Sequence, residues 1–316
     1  MQTPVIARVF GTALRAWWDD DAPRLGASVA YYTLFAIAPV LVVATAVAGM
    51  AFGEEAVRGE IIDQLDHLVG REGAAAIQSL LEGASQRRAG IIATVIGTIT
   101  FVVAATGAFL ELQTALNNIW RVKANPGANL KAFLIDRVRS LGLVVAIGFL
   151  LMVSLAMTAA LAAFGTWLAR GAPGLPIVWT IVNLVVSVLV ATAMFALLFR
   201  YLPDVQLRWR DVTTGAFVTA VLFMLGQQLI GVYLGQSVVA SSYGAAGAMM
   251  IVLLWVYYSC QILLLGAEFT RVYAERHGVE PQPEVFAEPD LDAIRASETI
   301  EREHAAAAAV LPSPAE

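Results

Sequence analysis

Long apolar runs alternate with short charged connections along this chain. Six stretches, residues 29–52, 91–110, 141–168, 175–198, 212–234 and 245–267, contain no Asp, Glu, Lys or Arg. A helix rises ~1.5 Å per residue, so about 20 apolar residues cross a ~30 Å hydrocarbon core. Every run reaches that length. The pattern predicts an all-α polytopic membrane protein, a six-transmembrane-helix bundle occupying residues 1–276. Two segments at the margins have a different rhythm. Ile6, Phe10, Ala13, Leu14 and Trp17 recur at helical spacing, with Arg8 and Arg15 elsewhere on the wheel. This reads as an amphipathic helix rather than a cleaved leader, either lying in the membrane interface or packing on the cytosolic face of the bundle. In the connection 53–90, Ile61, Leu65 and Leu68 form one helical stripe and Ile77, Leu80 and Leu81 another, with Gly70 and Gly73 between them. Two short amphipathic helices are expected in this first outer loop.

Basic residues orient the bundle. Arg8, Arg15 and Arg24 precede the first run, Arg121, Lys123, Lys131, Arg137 and Arg139 follow the second, and Arg200, Arg208 and Arg210 follow the fourth. Arg271 and Arg276 follow the sixth, whereas the third connection has only Arg170 and the fifth has no basic residue. The positive-inside rule then sets both termini in the cytoplasm.

Composition adds one correction to this picture. The chain is 59% hydrophobic and 14% charged, against roughly 45–50% and about 25% in soluble domains. Its net charge of −5 comes from the end of the chain. Residues 277–316 hold nine acidic residues and two arginines, leaving the rest slightly basic. With Pro281, Pro283, Pro289 and the alanines 305–309, this segment reads as a mostly disordered acidic cytosolic tail, with one helix starting near Asp290.

Candidate chemistry is narrowed by what the runs lack. His67, His277 and His304 lie outside them, and Cys260 is a single thiol within one. No zinc-type His pair, Walker loop or nucleic-acid patch is present in the sequence. No enzyme activity, metal or cofactor is therefore expected, and no nucleic-acid partner. Ionisable residues are also missing from mid-run positions, where ion-coupled pumps usually place one.

The polar residues that remain are grouped. Ser28, Tyr32, Phe35 and Pro39 share a face of the first run, and Pro39 should kink it. Thr180, Asn183 and Ser187 align in the fourth run, and Gln227, Gly231 and Gly235 in the fifth, the glycines forming a GxxxG pair. Gly247, Leu254, Gln261 and Glu268 recur every seven residues in the last, with Tyr258 between. Such residues either pack helices closely or line a water-accessible cavity. Glu111, Glu268 and Arg200 close the three runs that descend to the cytosol, at the level where Arg24, Tyr31 and Tyr32 enter the first. Opposite charges there would form a locking network or a cytosolic vestibule. A carboxylate near a helix C-terminus opposes the macrodipole, so Glu111 and Glu268 each call for a partner.

Several of these stretches have a familiar order. The run Ala27-Ser-Val-Ala-Tyr-Tyr-Thr-Leu-Phe-Ala-Ile-Ala-Pro39 resembles the opening signature of the YihY/BrkB virulence factor family, once labelled ribonuclease BN. So do Glu111-Leu-Gln-Thr-Ala-Leu-Asn117-Asn-Ile-Trp120, Leu202-Pro-Asp204, and the stretch from Tyr243-Gly244-Ala-Ala-Gly247 through Trp255-Val-Tyr-Tyr258 to Gly266-Ala-Glu-Phe-Thr270. The resemblance covers about residues 8–275. It implies an inner-membrane protein associated with envelope integrity or virulence, with transport as the suspected activity. The ribonuclease label has no carboxylate or histidine cluster to support it in this chain.

Two readings of function follow. In the first, the bundle translocates a lipid, lipid-linked or other amphipathic envelope component. Arg24, Glu111 and Glu268 would then act as gates of a vestibule, with Tyr31, Asn117 and Gln261 in the same cavity or gate. Tyr32, Asn183, Gln227 and Tyr258 would contact the cargo, and Pro39, Gly244 and Gly247 would permit motion. In the second, the protein is a non-transporting membrane scaffold that recruits partners through the outer loop or the tail. Membrane lipids are partners in both readings, and a homo-oligomer through Gly231 and Gly235 is compatible with either.

Overall fold

A computed structural model describes residues 5–85, 91–124, 176–235, 245–278, 282–284 and 287–310. Eight helices and four short strands are found among the described residues. They are α1 (Val5–Asp19), α2 (Ala22–Phe52), α3 (Glu54–Ser85), α4 (Ile91–Ile119), β1 (Val122–Ala124), α5 (Pro176–Tyr201), β2 (Val205–Gln206), α6 (Trp209–Gly235), α7 (Ala245–Arg276), β3 (Gln282–Pro283), β4 (Ala287–Pro289) and α8 (Leu291–Val310). The third predicted run, 141–168, lies outside the described residues, as does Gly244.

Local chemistry sets the helix ends. Asp21, with φ 54°, breaks the chain between α1 and α2, and Pro23 occupies the first turn of α2, where a missing N–H costs nothing. Pro39 lies further along, and α2 continues helical past it to Phe52. A single residue, Gly53, separates α2 from α3; its φ of 88° is one that only glycine adopts freely. Asp211 lies in the first turn of α6, where a carboxylate favours the helix N-terminus. Asp290 caps α8, its carboxylate accepting from the N–H groups of Asp292 (3.2 Å) and Ala293 (3.4 Å).

Two sequence expectations change here. The connection between the first two runs holds one helix of 32 residues rather than two short ones. Glycine inside a helix costs about 1 kcal/mol, less than nucleating a second helix, so Gly70 and Gly73 are carried through. The segment after residue 277 is not a mostly disordered extension either. β4 pairs antiparallel with β1 in register Val122↔Pro289, Lys123↔Glu288 and Ala124↔Ala287. β3 pairs antiparallel with β2 in register Val205↔Pro283 and Gln206↔Gln282. Backbone hydrogen bonds and the Lys123–Glu288 and Lys123–Asp290 ion pairs (both 3.8 Å) hold a segment whose composition alone offers little apolar surface.

Three of the described helices contain a stretch long and apolar enough to cross a membrane: Ile181–Tyr201, Trp209–Ile230 and Met249–Arg276. Only 11% of the α5 stretch is buried within the protein. Its Ile181, Leu184, Val185 and Leu189 face outward, as do Leu225 and Leu229 of α6. A belt of this kind needs an apolar solvent, so the protein is membrane-bound.

The chain divides into two compact units. The first comprises Met1–Ala22, Leu116–Val221 and Leu264–Glu316, and the second Pro23–Ala115 and Leu222–Leu263. In the first, Val9 and Ala13 of α1 pack on Phe269 of α7, with Phe10, Val218, Val272 and Tyr273 around them. One side of α1 is thus seated on the bundle, while Ile6, Leu14 and Trp18 stay exposed. In the second, Ile230 and Ile251 pack with Trp255 and Tyr258.

Candidate functional site

In the first unit, α6 and α7 meet through a reciprocal pair of small residues. Thr219 Oγ1 donates to the carbonyl of Gly215 (2.7 Å) and Thr270 Oγ1 to that of Gly266 (2.7 Å). Thr270 lies against Gly215 and Thr219 against Gly266, so closely that a Cβ on either glycine would overlap a threonine hydroxyl. Each hydroxyl is thereby satisfied within its own helix while the threonine side chain fills the space over the glycine of the other.

This close approach places the end of α7 at the heart of the unit. Glu268 has no exposed side-chain surface and Arg271 only 4%. Arg271 donates from Nε and Nη2 to Glu268 Oε2 (3.1 and 2.8 Å), from Nη2 to Asp20 Oδ2 (3.4 Å) and from Nη1 to Glu275 Oε1 (3.0 Å). One guanidinium therefore collects three carboxylates, two from its own helix and one from the end of α1. Because α7 continues past Glu268 to Arg276, burial rather than the helix dipole makes this carboxylate need a partner. That partner comes from one turn along α7, not from Arg200 or Arg24. Glu268 Oε1 is buried with no hydrogen-bond partner among the described residues.

Beside Arg271 lies a cavity of about 260 Å³. Arg15, Asp19 and Asp20 from α1 and its end, Arg121 after α4, Val272 and Glu275 of α7, and Ser297 and Ile300 of α8 are among the residues lining it. None of the residues singled out from the sequence as gates or path lines this cavity. Arg15, Arg121 and Arg271 entered the sequence argument only as markers of the cytosolic side. Their charge, repeated at one membrane level, was the available signal.

Elsewhere in this unit Asn117 and Asp204 grip each other. Asn117 Nδ2 donates to Asp204 Oδ2 (2.7 Å) and the Asp204 N–H donates to Asn117 Oδ1 (2.8 Å). The carbonyl of Asp204 accepts from the N–H of Glu284 (2.9 Å), tying β3 to the same turn. Asn183, in contrast, is exposed on the outward side of α5.

The second unit holds most of the other residues of interest. Ser28 Oγ donates to Glu111 Oε1, which joins α2 to α4 and gives this half-buried carboxylate its partner. Tyr31 stacks edge-on with Tyr32 (5.7 Å) and Phe35 (5.0 Å), and Gly107 lies against the Tyr32 ring. Gln261 Nε2 donates weakly to the carbonyl of Pro23 (3.4 Å), and its amide presses on Gly26. Its Oε1 is buried with no hydrogen-bond partner among the described residues. Tyr258 and Ile262 fit against Gly226, leaving the neighbouring Gln227 half-buried. Gly226, like Gly215 and Gly266, sets a close approach, a role the sequence reading gave to Gly231 and Gly235. Gly247 is buried near the start of α7. Arg24 is exposed and engaged in an interaction of its own. The side chain of Pro39 lies outside the described residues. Among those residues no group of three metal-binding side chains occurs.

Apolar helices of membrane-spanning length, joined by buried polar clasps near their charged ends, define an integral membrane protein. The Virulence factor BrkB family matches residues 13–289, and the chain belongs to that family. The match extends past the expected limit at residue 275 and takes in β3 and β4, so the paired part of the tail belongs to the family's fold. UPF0761 membrane proteins are among its relatives. That of Ralstonia nicotianae is 29% identical over 81% of this chain and 56% of its own length. That of a Janthinobacterium species is 26% identical over 88% and 63%, and that of Pseudomonas aeruginosa 30% identical over 78% and 58%. The chain thus spans less than two thirds of these relatives. No solved structure matches.

Proposed function

We propose that this protein translocates an amphipathic envelope component, a lipid or lipid-linked molecule, across the inner membrane, with both termini in the cytoplasm. The observation that carries the reading is the buried, unpartnered Oε1 of Gln261. It lies in an apolar helix, on the same unit as the Ser28–Glu111 clasp. A polar acceptor withheld from water and left open costs stability. A donor group on a passing cargo, a hydroxyl or an ammonium, would satisfy it. Tyr32, Gln227 and Tyr258 supply further polar groups on that unit, and Pro39 a place for α2 to bend. Glu268, held by Arg271, serves as a lock at the end of α7.

The test is reconstitution of the full chain into liposomes holding a headgroup-labelled phosphatidylglycerol, with loss of outer-leaflet label followed over time. Wild type should scramble or move the lipid above the protein-free rate, and Glu111→Gln with Gln261→Leu should not. Equal rates in wild type, variant and empty liposomes would sink the reading.

A scaffold role is favoured by one observation, the acidic helix α8 held in place by β3 and β4. Deleting residues 291–316 separates the two. Loss of the cellular phenotype with lipid movement intact supports recruitment, and unchanged phenotype supports the bundle.

A further inference from the structure

The cavity beside Arg271 is lined by carboxylates and guanidiniums alike, but they are not equally occupied. Arg271 already neutralises Glu268, Asp20 and Glu275, and Asp19 has an interaction of its own. Arg15 and Arg121 line the same void, and their guanidinium groups make no hydrogen bond or ion pair with another described residue. Two cations sharing a small cavity repel each other, and the acids that would otherwise offset them are taken. What remains open on the wall is a pair of positive forks. The base of one is fixed: Arg121 adopts a left-handed backbone, φ 54°, and its carbonyl accepts from the N–H of Asp290 (2.9 Å).

We propose that this cavity binds a phosphate ester, its oxyanion held between Arg15 and Arg121. One guanidinium satisfies a carboxylate's two oxygens, whereas two forks match a tetrahedral group with three or four acceptor oxygens. At about 260 Å³ the cavity is a little smaller than the ~300–1,000 Å³ sites of drug-sized ligands. It therefore takes a headgroup-sized moiety rather than a whole lipid. Val272 and Ile300 provide apolar contact for the carbon atoms next to the ester. A phospholipid headgroup and a soluble phosphate ester share this chemistry. The exposed Leu14 and Trp18 on α1, beside Arg15, place the cavity next to a surface suited to the membrane interface. Binding here requires no translocation, so the proposal stands whether or not the protein moves lipid.

The full chain in mild-detergent micelles would be examined by native mass spectrometry with two probes, dioleoyl phosphatidylglycerol and sn-glycerol 3-phosphate. The variants are R15Q/R121Q, R15K/R121K and, as a control on α8, R302Q, whose side chain is 82% exposed. Wild type and R302Q should retain the phosphate probe alike. Losing the charge-assisted bonds in R15Q/R121Q should weaken retention about tenfold or more, with R15K/R121K in between, because lysine keeps the charge without the fork. Arginine-dependent binding of the lipid alone assigns the site to a headgroup. Arginine-dependent binding of glycerol phosphate alone assigns it to a soluble ester. Equal retention by wild type and R15Q/R121Q, or no binding of either probe to wild type, overturns the proposal. If the double variant does not fold, R15Q by itself carries the test, since Arg15 is exposed on α1.

Discussion

Asn117 holds Asp204 from two sides, donating to its carboxylate at 2.7 Å while accepting from its backbone N–H at 2.8 Å. These residues lie 87 positions apart, one at the end of α4 and the other in the turn between α5 and β2. They also belong to two of the stretches that carry the family resemblance. That resemblance therefore has a physical counterpart: the motif residues touch.

Asn117→Leu should remove both bonds and leave an under-satisfied, part-buried carboxylate. The expected cost is about 1.5–3 kcal/mol, since one partner is charged. Thermal unfolding in detergent, followed by tryptophan fluorescence, should show a lowered midpoint. Asn117→Asp should lower it further by placing two carboxylates face to face.

Among the described residues Arg271 is the counter-charge of Glu268, and both are buried. Arg271→Met should destabilise by about 3–5 kcal/mol because it strands a buried carboxylate. The double variant Glu268→Leu with Arg271→Met should be far less damaged than the two single losses combined. A double-mutant cycle on unfolding midpoints measures that difference. Additive losses would mean the two side chains act independently.

Gly215 and Gly266 face threonines of the opposite helix with no room for a methyl group. Gly215→Leu or Gly266→Leu should force α6 and α7 apart, costing about 1–3 kcal/mol by overpacking. Gly11 on α1 has open space around it, so Gly11→Ala should be neutral or add up to about 1 kcal/mol of helix stability. Parallel melting curves of the three variants read the contrast directly.

The strands after α7 make a separate prediction. A chain ending at Gly278 leaves β1 and β2 unpaired. Hydrogen exchange should show the paired amides of Val122–Ala124 and Val205–Gln206 protected in the full chain and exchanging faster in the shortened one. Unchanged protection would mean that other contacts satisfy them.

Much of the architecture was legible in advance because a membrane imposes a simple rule. Backbone polar groups must be satisfied within each crossing segment, so a charge-free run of sufficient length reads as a helix without knowledge of its neighbours. α5, α6 and α7 follow the runs 175–198, 212–234 and 245–267 on that basis. Helix α3 was harder to read, because glycine's modest helix penalty does not say whether a helix stops or continues. The tail misled for a related reason. Its order comes from backbone pairing with strands more than 75 residues away in sequence, and composition carries no trace of such a partner.

The sequence by itself determined the class of protein and its family and singled out Glu111 and Glu268 as charges closing apolar runs, since charge spacing is a local property. Both helices continue past them, so their need for partners comes from burial and not from a helix end. Only the tertiary structure decided who those partners are. Ser28 reaches Glu111 across two helices, whereas Arg271 reaches Glu268 along one and draws in Asp20 from 251 positions away. The cavity beside Arg271 is likewise a product of packing. Arg15, Arg121 and Ile300 share its wall because α1, α7 and α8 converge there, and convergence of distant segments is a long-range outcome that no single stretch of sequence encodes.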